Sequence, residues 1–240
     1  MEGKIALVTG AATGIGAATV RQLAAKGCKI AVCDINERDG KALADEVSGI
    51  FIVCDVTDFD SVVSAVATCE QAFGVPDYAH LNAGLMTVPT GDPFLAIEDV
   101  SLEQYRRILG VNLDGVFHGT KALLPKMRAK GGAITITASI GGFGVLAVDP
   151  LYATTKYALV GYGRSVAEAN KDGNVRINVI CPGVVDTNIV PDDFKAPDIM
   201  TPDTMAAEVV DLLENGPNGE IRVKLADEQA FAMRPQELVG

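Results

Sequence analysis

Short runs of β-branched and apolar residues alternate along this chain with longer amphipathic ones, and that alternation narrows the fold more than any other feature. KIALVT (4–9), KIAVCD (29–34), GIFIVCD (49–55), YAHLN (78–82), GAITITAS (132–139), RINVIC (176–181) and EIRVKL (220–225) read as strands. They are short, rich in Val and Ile, and bounded by turn-forming residues. The segments between them, 14–27, 36–47, 58–74, 101–130, 152–173 and 201–216, carry apolar residues at helical spacing. Strands that are apolar on both faces and joined by helices form a parallel sheet, with right-handed crossovers placing helices on both sides. The pattern predicts a doubly wound α/β fold of about seven strands, spanning 1–240 as one domain. The least regular segments, 85–100 and 186–200, directly follow strands, where sheets of this kind bind ligands, and they are expected to be binding loops or a lid.

Composition limits the partners. Hydrophobic residues make up 48% of the 240 residues and charged ones 21%, a balance that fits a packed domain and excludes disorder. The formal net charge of -11 repels nucleic acid and anionic membrane surfaces, and no stretch of about 18 uninterrupted apolar residues is present. The start, MEGKIALVTG, enters a strand without a basic-then-apolar leader. Cys28, Cys33, Cys54, Cys69 and Cys181 show no Cys-x-x-Cys spacing, and most of them lie in apolar runs. They are expected to be buried, reduced thiols of a cytoplasmic protein. His80 and His118 stand apart without metal-ligand spacing, so no metal site is expected.

The first strand runs into Thr9-Gly10-Ala11-Ala12-Thr13-Gly14-Ile15-Gly16 and then a helix. Gly10 permits a sharp turn, and Gly14 and Gly16 remove side chains where backbone approaches a pyrophosphate and where the helix meets the sheet. The helix start adds unpaired N–H groups and partial positive charge. The usual Gly-x-Gly-x-x-Gly spacing is not met, because Thr19 takes its last place. Asp34 ends the second strand 18 residues after Gly16, near the distance at which a carboxylate accepts from both hydroxyls of an adenosine ribose. That carboxylate would repel a 2′-phosphate, and neither Thr13 nor Ile35 offers a compensating charge. NAD is therefore expected over NADP, with Arg38 the nearby cation that argues the other way.

With these features in place the chain resembles the single-domain short-chain dehydrogenase/reductase family, with its Rossmann-type fold, over nearly its whole length. The resemblance rests on TGAATGIG (9–16), Asp55-Val56, the Asn82-Ala83-Gly84 turn, Asn112, Ser139, Tyr152-x-x-x-Lys156 and Pro182-Gly183-x-x-x-Thr187, in that order. It implies that Asp55 and the Val56 backbone hold the adenine, that residues 82–84 pass beneath the adenine ribose, and that Thr187 orients the nicotinamide carboxamide. Gly10, Thr13, Gly14, Ile15, Gly16, Asp34, Ile35, Pro182, Gly183 and Val185 complete the expected cofactor contacts, with Tyr152 and Lys156 at the nicotinamide ribose. The resemblance also implies dimers or tetramers formed through the long helices at about 101–128 and 152–171.

The implied reaction is hydride transfer between an alcohol or ketone and the nicotinamide, with Tyr152 as general acid/base. A cation about 4 Å from the phenol favours phenolate by roughly 4 kcal/mol at an effective dielectric of 20, about three pKa units, so Lys156 is expected to bring Tyr152 near the working pH. Ser139 would hold the substrate oxygen, and Asn112 a water in line with Lys156. Residues 140–150 contain one charge, Asp149, and no Arg to clamp a carboxylate. Ser139, Gly141, Phe143, Leu146, Ile189 and Met200 are the expected substrate contacts, in an apolar pocket for a neutral secondary alcohol or its ketone. The competing readings are an NADPH-dependent carbonyl reductase and a non-catalytic sensor of NAD redox state. In the tail 226–240, Phe231 and Met233 either cross a subunit boundary or fray.

Overall fold

The computed structural model describes residues 1–195, 199–226 and 228–233. Seven parallel strands form where the sequence pattern places them: β1 (Ile5–Thr9), β2 (Lys29–Asp34), β3 (Ile50–Val53), β4 (Tyr78–Leu81), β5 (Gly132–Thr137), β6 (Val175–Pro182) and β7 (Ile221–Lys224). An eighth, β8 (Phe231–Ala232), was not expected and lies antiparallel on the edge of β7. The tail is thus ordered at this point, with Phe231 still 47% exposed. The Met233 N–H donates to the Ile221 carbonyl at 2.8 Å, and its side chain rests on the core. Residues 234–240 lie outside the described residues.

The order across the sheet is β3-β2-β1-β4-β5-β6-β7-β8. The chain therefore winds outward from β1 through β2 to β3, then returns to the other side of β1 and winds the opposite way. The helices are α1 (Gly14–Ala25), α2 (Glu37–Glu46), α3 (Phe59–Phe73), α4 (Leu102–Leu109), α5 (Gly115–Met127), α6 (Pro150–Ala169) and α7 (Pro202–Glu214). Alternate strand residues supply the two cores. Leu7, Leu81, Ile136 and Val179 face α3, α5 and α6, whereas Val8, Val32 and Ile180 face α1 and α7. Each fully buried Val, Leu or Ile contributes about 1.5–3 kcal/mol. All five cysteines are buried and free, as expected.

The helix expected to run unbroken from about 101 to 128 is interrupted. Ser101 and Gln104 form a capping box that starts α4. Residues Gly110–Asp114 then form a π-helical turn before α5 begins. The inserted residue leaves Asn112 fully buried.

A polar row crosses the sheet on the α7 side, where His80 pairs in register with Thr135, and Thr135 with Asn178. His80 Nε2 lies 2.7 Å from Thr137 Oγ1, but His80 Nδ1, Thr135 Oγ1 and Asn178 Nδ2 have no partner among the described residues. Burial drives the His80 pKa down to about 3. The unfolded chain takes up this proton near pH 6.5, so stability falls as pH drops below 6.5, by up to about 1.4 kcal/mol per unit. Urea unfolding between pH 8 and 5 should show a falling midpoint, and His80→Val should flatten that dependence.

Candidate active site

The reversal of winding leaves the loops after β1 and β4 side by side at the carboxyl edge of the sheet. Between them opens a cleft of about 300 Å³, running from Asp34 and Asp55 at one end to Ser139, Tyr152 and Thr187 at the other. Gly10, at φ +61°, makes the turn out of β1, and a Cβ there would sit 2.6 Å from the Ala83 Cα. A Cβ on Gly16 would overlap the Gly10 carbonyl and come 2.8 Å from Asn82 Nδ2. These contacts, with the bond from Asn82 Nδ2 to the Gly10 carbonyl at 3.0 Å, lock the two loops together. Thr13, at the start of α1, makes no side-chain capping bond, so the first-turn amides remain available to an anion.

Asp34 is tied down by backbone. Its Oδ2 accepts from the Ala12 N–H and its Oδ1 from the Asn36 N–H, each at 2.9 Å. Ile35 beside it is 69% exposed and offers an apolar surface. Arg38 pairs with Asp39 at 2.7 Å, is 89% exposed and does not line the cleft. Every cofactor residue expected from the sequence lines the cleft except Gly16, which lies beneath the loop.

At the other end Tyr152 and Lys156 share one face of α6. Lys156 Nζ lies 5.4 Å from the Tyr152 ring centre and donates to the Thr137 carbonyl at 3.0 Å. A Cβ on Gly84 would meet Lys156 Nζ at 3.4 Å and Asn112 Oδ1 at 3.6 Å, so these three positions converge. Burial pushes the Tyr152 phenol up to about 12, against the downward pull of the Ser139 hydroxyl and with a further rise from Asp149. Burial also lowers Lys156 to about 8. Both groups lose water on burial, which favours the neutral form of each, a direction opposite to the lowering of the phenol expected from Lys156.

Asn112 is held from both sides. Its Oδ1 accepts from the Leu85 N–H, and its Nδ2 donates to the Leu85 carbonyl and Thr155 Oγ1, at 2.9, 2.9 and 3.1 Å. The amide thus ties the loop after β4 to α6, close to Lys156.

Of the expected substrate contacts, Ser139 and Ile189 line the cleft. Gly141 borders it, since a Cβ there would lie 3.6 Å from Tyr152 Cε1. Phe143 instead rests on the core, and Leu146 is half-buried away from the cleft. Met200 is 1% exposed, because the Val185–Met200 bridge draws it into the core on the α7 side. Leu85 and Val111, apolar residues not expected at the site, also line the cleft, as does Val190 of the 186–200 segment. The sequence reading missed the role of Asp149, where a carboxylate followed by Pro150 at a helix start was the available signal. Asp149 caps α6 by accepting from the Tyr152 N–H at 2.9 Å, and it accepts from the Thr87 N–H at 2.8 Å and Thr87 Oγ1 at 2.5 Å.

The family model for short chain dehydrogenase matches residues 4–198. The chain is a short-chain dehydrogenase. Among curated relatives of this oxidoreductase is a 3-alpha-(or 20-beta)-hydroxysteroid dehydrogenase of Mycobacterium tuberculosis (strain CDC 1551 / Oshkosh). It is 38% identical over 198 residues, which cover 80% of this chain and 74% of the relative. The trans-4-hydroxycyclohexanecarboxylate dehydrogenase of Sinomonas cyclohexanicum is 33% identical over 195 residues, covering 77% and 73%. A 3-ketoacyl-(acyl-carrier-protein) reductase from Brucella melitensis, solved in complex with NADH, superposes with a TM-score of 0.84 at 26% identity, covering 93% of this chain and 96% of that one. Among the described residues no helix of the short-chain dehydrogenase is long and apolar enough to cross a membrane, and no cluster of ligating side chains could hold a metal.

Asp149 is 2% exposed and carries three hydrogen bonds, so Asp149→Ala should lower stability by about 2 kcal/mol or more, measured by denaturant unfolding.

Proposed function

We propose that this enzyme transfers hydride between a neutral secondary alcohol, or its ketone, and NAD, with Tyr152 as the general acid/base. The observation that carries this reading is the position of the buried phenol, beside Ser139 and Lys156, in the same cleft as the uncapped start of α1. When bound, the nicotinamide ring gives or accepts the hydride. The chain's own residues do the rest. In the reducing direction the Tyr152 O–H donates its proton to the carbonyl oxygen as negative charge develops there, while the Ser139 hydroxyl donates a second hydrogen bond to the same oxygen. Lys156 places positive charge behind the phenol and compensates the phenolate left after transfer. Asn112 acts as a positioning residue, holding Leu85 against α6.

For the cofactor, Asp34 accepts the ribose hydroxyls and the first turn of α1 receives the pyrophosphate. The pairing of Arg38 with Asp39, away from the cleft, supports NAD rather than NADP. Lys156 is the one cationic side chain lining the cleft among the described residues, and Leu85, Ile189 and Val190 make its substrate end apolar. Both features support a neutral substrate; the hydroxysteroid and hydroxycyclohexanecarboxylate relatives support an alicyclic one, although the second acts on a carboxylate. The exposed Tyr105, Phe117 and Tyr157 on α4, α5 and α6 support self-association through those helices.

Tyr152→Phe should lower turnover at least about 10²-fold with neutral cyclic alcohols and ketones, while NADH affinity stays within about twofold. Retention of more than a few per cent of turnover would remove Tyr152 from the reaction. The pH dependence should have opposite signs in the two directions. A phenol near 12 and a lysine near 8 leave the acid ready at neutral pH, so ketone reduction should hold level up to about pH 8 and decline above it. Alcohol oxidation needs the phenolate and should rise with pH over the same interval.

A further inference from the structure

One titratable side chain unused by the reaction grips the wall of the cleft. His118, in the first turn of α5, places Nδ1 2.9 Å from the Val56 carbonyl oxygen. A carbonyl only accepts, so Nδ1 carries the proton. The ring packs at a tilt against Phe59, with centroids 5.5 Å apart, and Lys121 Nζ lies 4.5 Å from the Phe59 centroid. Gly115 lets α5 seat closely, since a Cβ there would lie 2.8 Å from Val56 Cγ2.

The segment that His118 holds is distinctive in its hydrogen bonds. The Cys54 N–H donates to the Asp34 carbonyl, the Asp55 N–H to Ser61 Oγ, the Thr57 N–H to Asp55 Oδ1 and the Asp58 N–H to the Asp55 carbonyl. The Val56 N–H has no partner among the described residues, although Val56 is only 7% exposed and lines the cleft. An amide without a protein partner, on a residue that lines the cleft and in a loop whose other amides are bonded, is a donor available to an acceptor.

We infer that His118 is a positioning residue for the adenine of the cofactor: by holding the Val56 carbonyl it fixes the backbone from which the Val56 N–H donates to a purine ring nitrogen. The inference rests on the nucleotide reading of the cleft. Base recognition then depends on a side chain from α5 that itself touches no ligand.

Calorimetric titration of the apoprotein with ADP-ribose and with reduced nicotinamide mononucleotide tests this without turnover. Removing the hydrogen bond in His118→Leu should weaken ADP-ribose about tenfold and leave the mononucleotide unchanged. His118→Asn, whose amide donates from near the Nδ1 position, should restore ADP-ribose binding to within about twofold. Unchanged ADP-ribose affinity in folded His118→Leu, or equal loss of both ligands, would overturn the role. In the wild type, ADP-ribose should slow hydrogen exchange at the Val56 amide. Unaltered exchange there would overturn it even if the leucine variant fails to fold. If the wild type binds neither NADH nor ADP-ribose, the nucleotide reading itself falls; if it binds both and the variants do not differ, only the role of His118 does.

Discussion

The contact between the turn after β1 and the turn after β4 is the constraint on which the rest depends. Parallel strands wound in opposite directions from β1 must part at their carboxyl ends, and the gap between them can accept a ligand only if the two loops are held in fixed relation. Gly10 meeting Ala83, Gly16 beneath the Gly10 carbonyl and Asn82 bonded to that carbonyl supply this relation. A side chain larger than hydrogen at either glycine would force the loops apart. The cleft, the uncapped start of α1 and the approach of Gly84 to Lys156 all follow from that closeness.

At the reacting end, burial rather than pairwise attraction sets the charge state. Tyr152 and Lys156 are both withdrawn from water, and desolvation favours the neutral form of each. Burial thus keeps the Tyr152 phenol protonated. Its alignment comes from below, where Asp149 caps the helix that carries it and ties that helix to Thr87. On the opposite side Asn112 ties α6 to Leu85. Two buried polar residues, Asp149 and Asn112, thus fix the helix that carries Tyr152 and Lys156.

The parts of the site that depend on local order were legible in the sequence. Strand and helix periodicity placed all seven parallel strands, and the Gly10–Gly16 turn, Asp34, Ser139, Tyr152 and Lys156 line or support one cleft because each follows a strand or shares a helix face. What escaped depends on packing between distant segments. No local spacing reports the π-helical turn that buries Asn112, the pairing of Val185 with Met200 that withdraws Met200, or the reach of Asp149 to Thr87. The burial that raises the Tyr152 phenol is hidden from the sequence for the same reason. Spacing gives the distance between two charges but not how much water each has lost.

The central claim is that the cleft binds a nicotinamide dinucleotide whose adenosine ribose meets Asp34. The protein contains no tryptophan, so NADH and NADPH fluorescence can be followed with little background from the chain. Titration of the wild type and Asp34→Ala with both cofactors is the most direct test. The wild type should prefer NADH by at least about tenfold, and the variant should lose most of that preference. Equal or tighter binding of NADPH by the wild type, or binding of neither cofactor, would contradict the account.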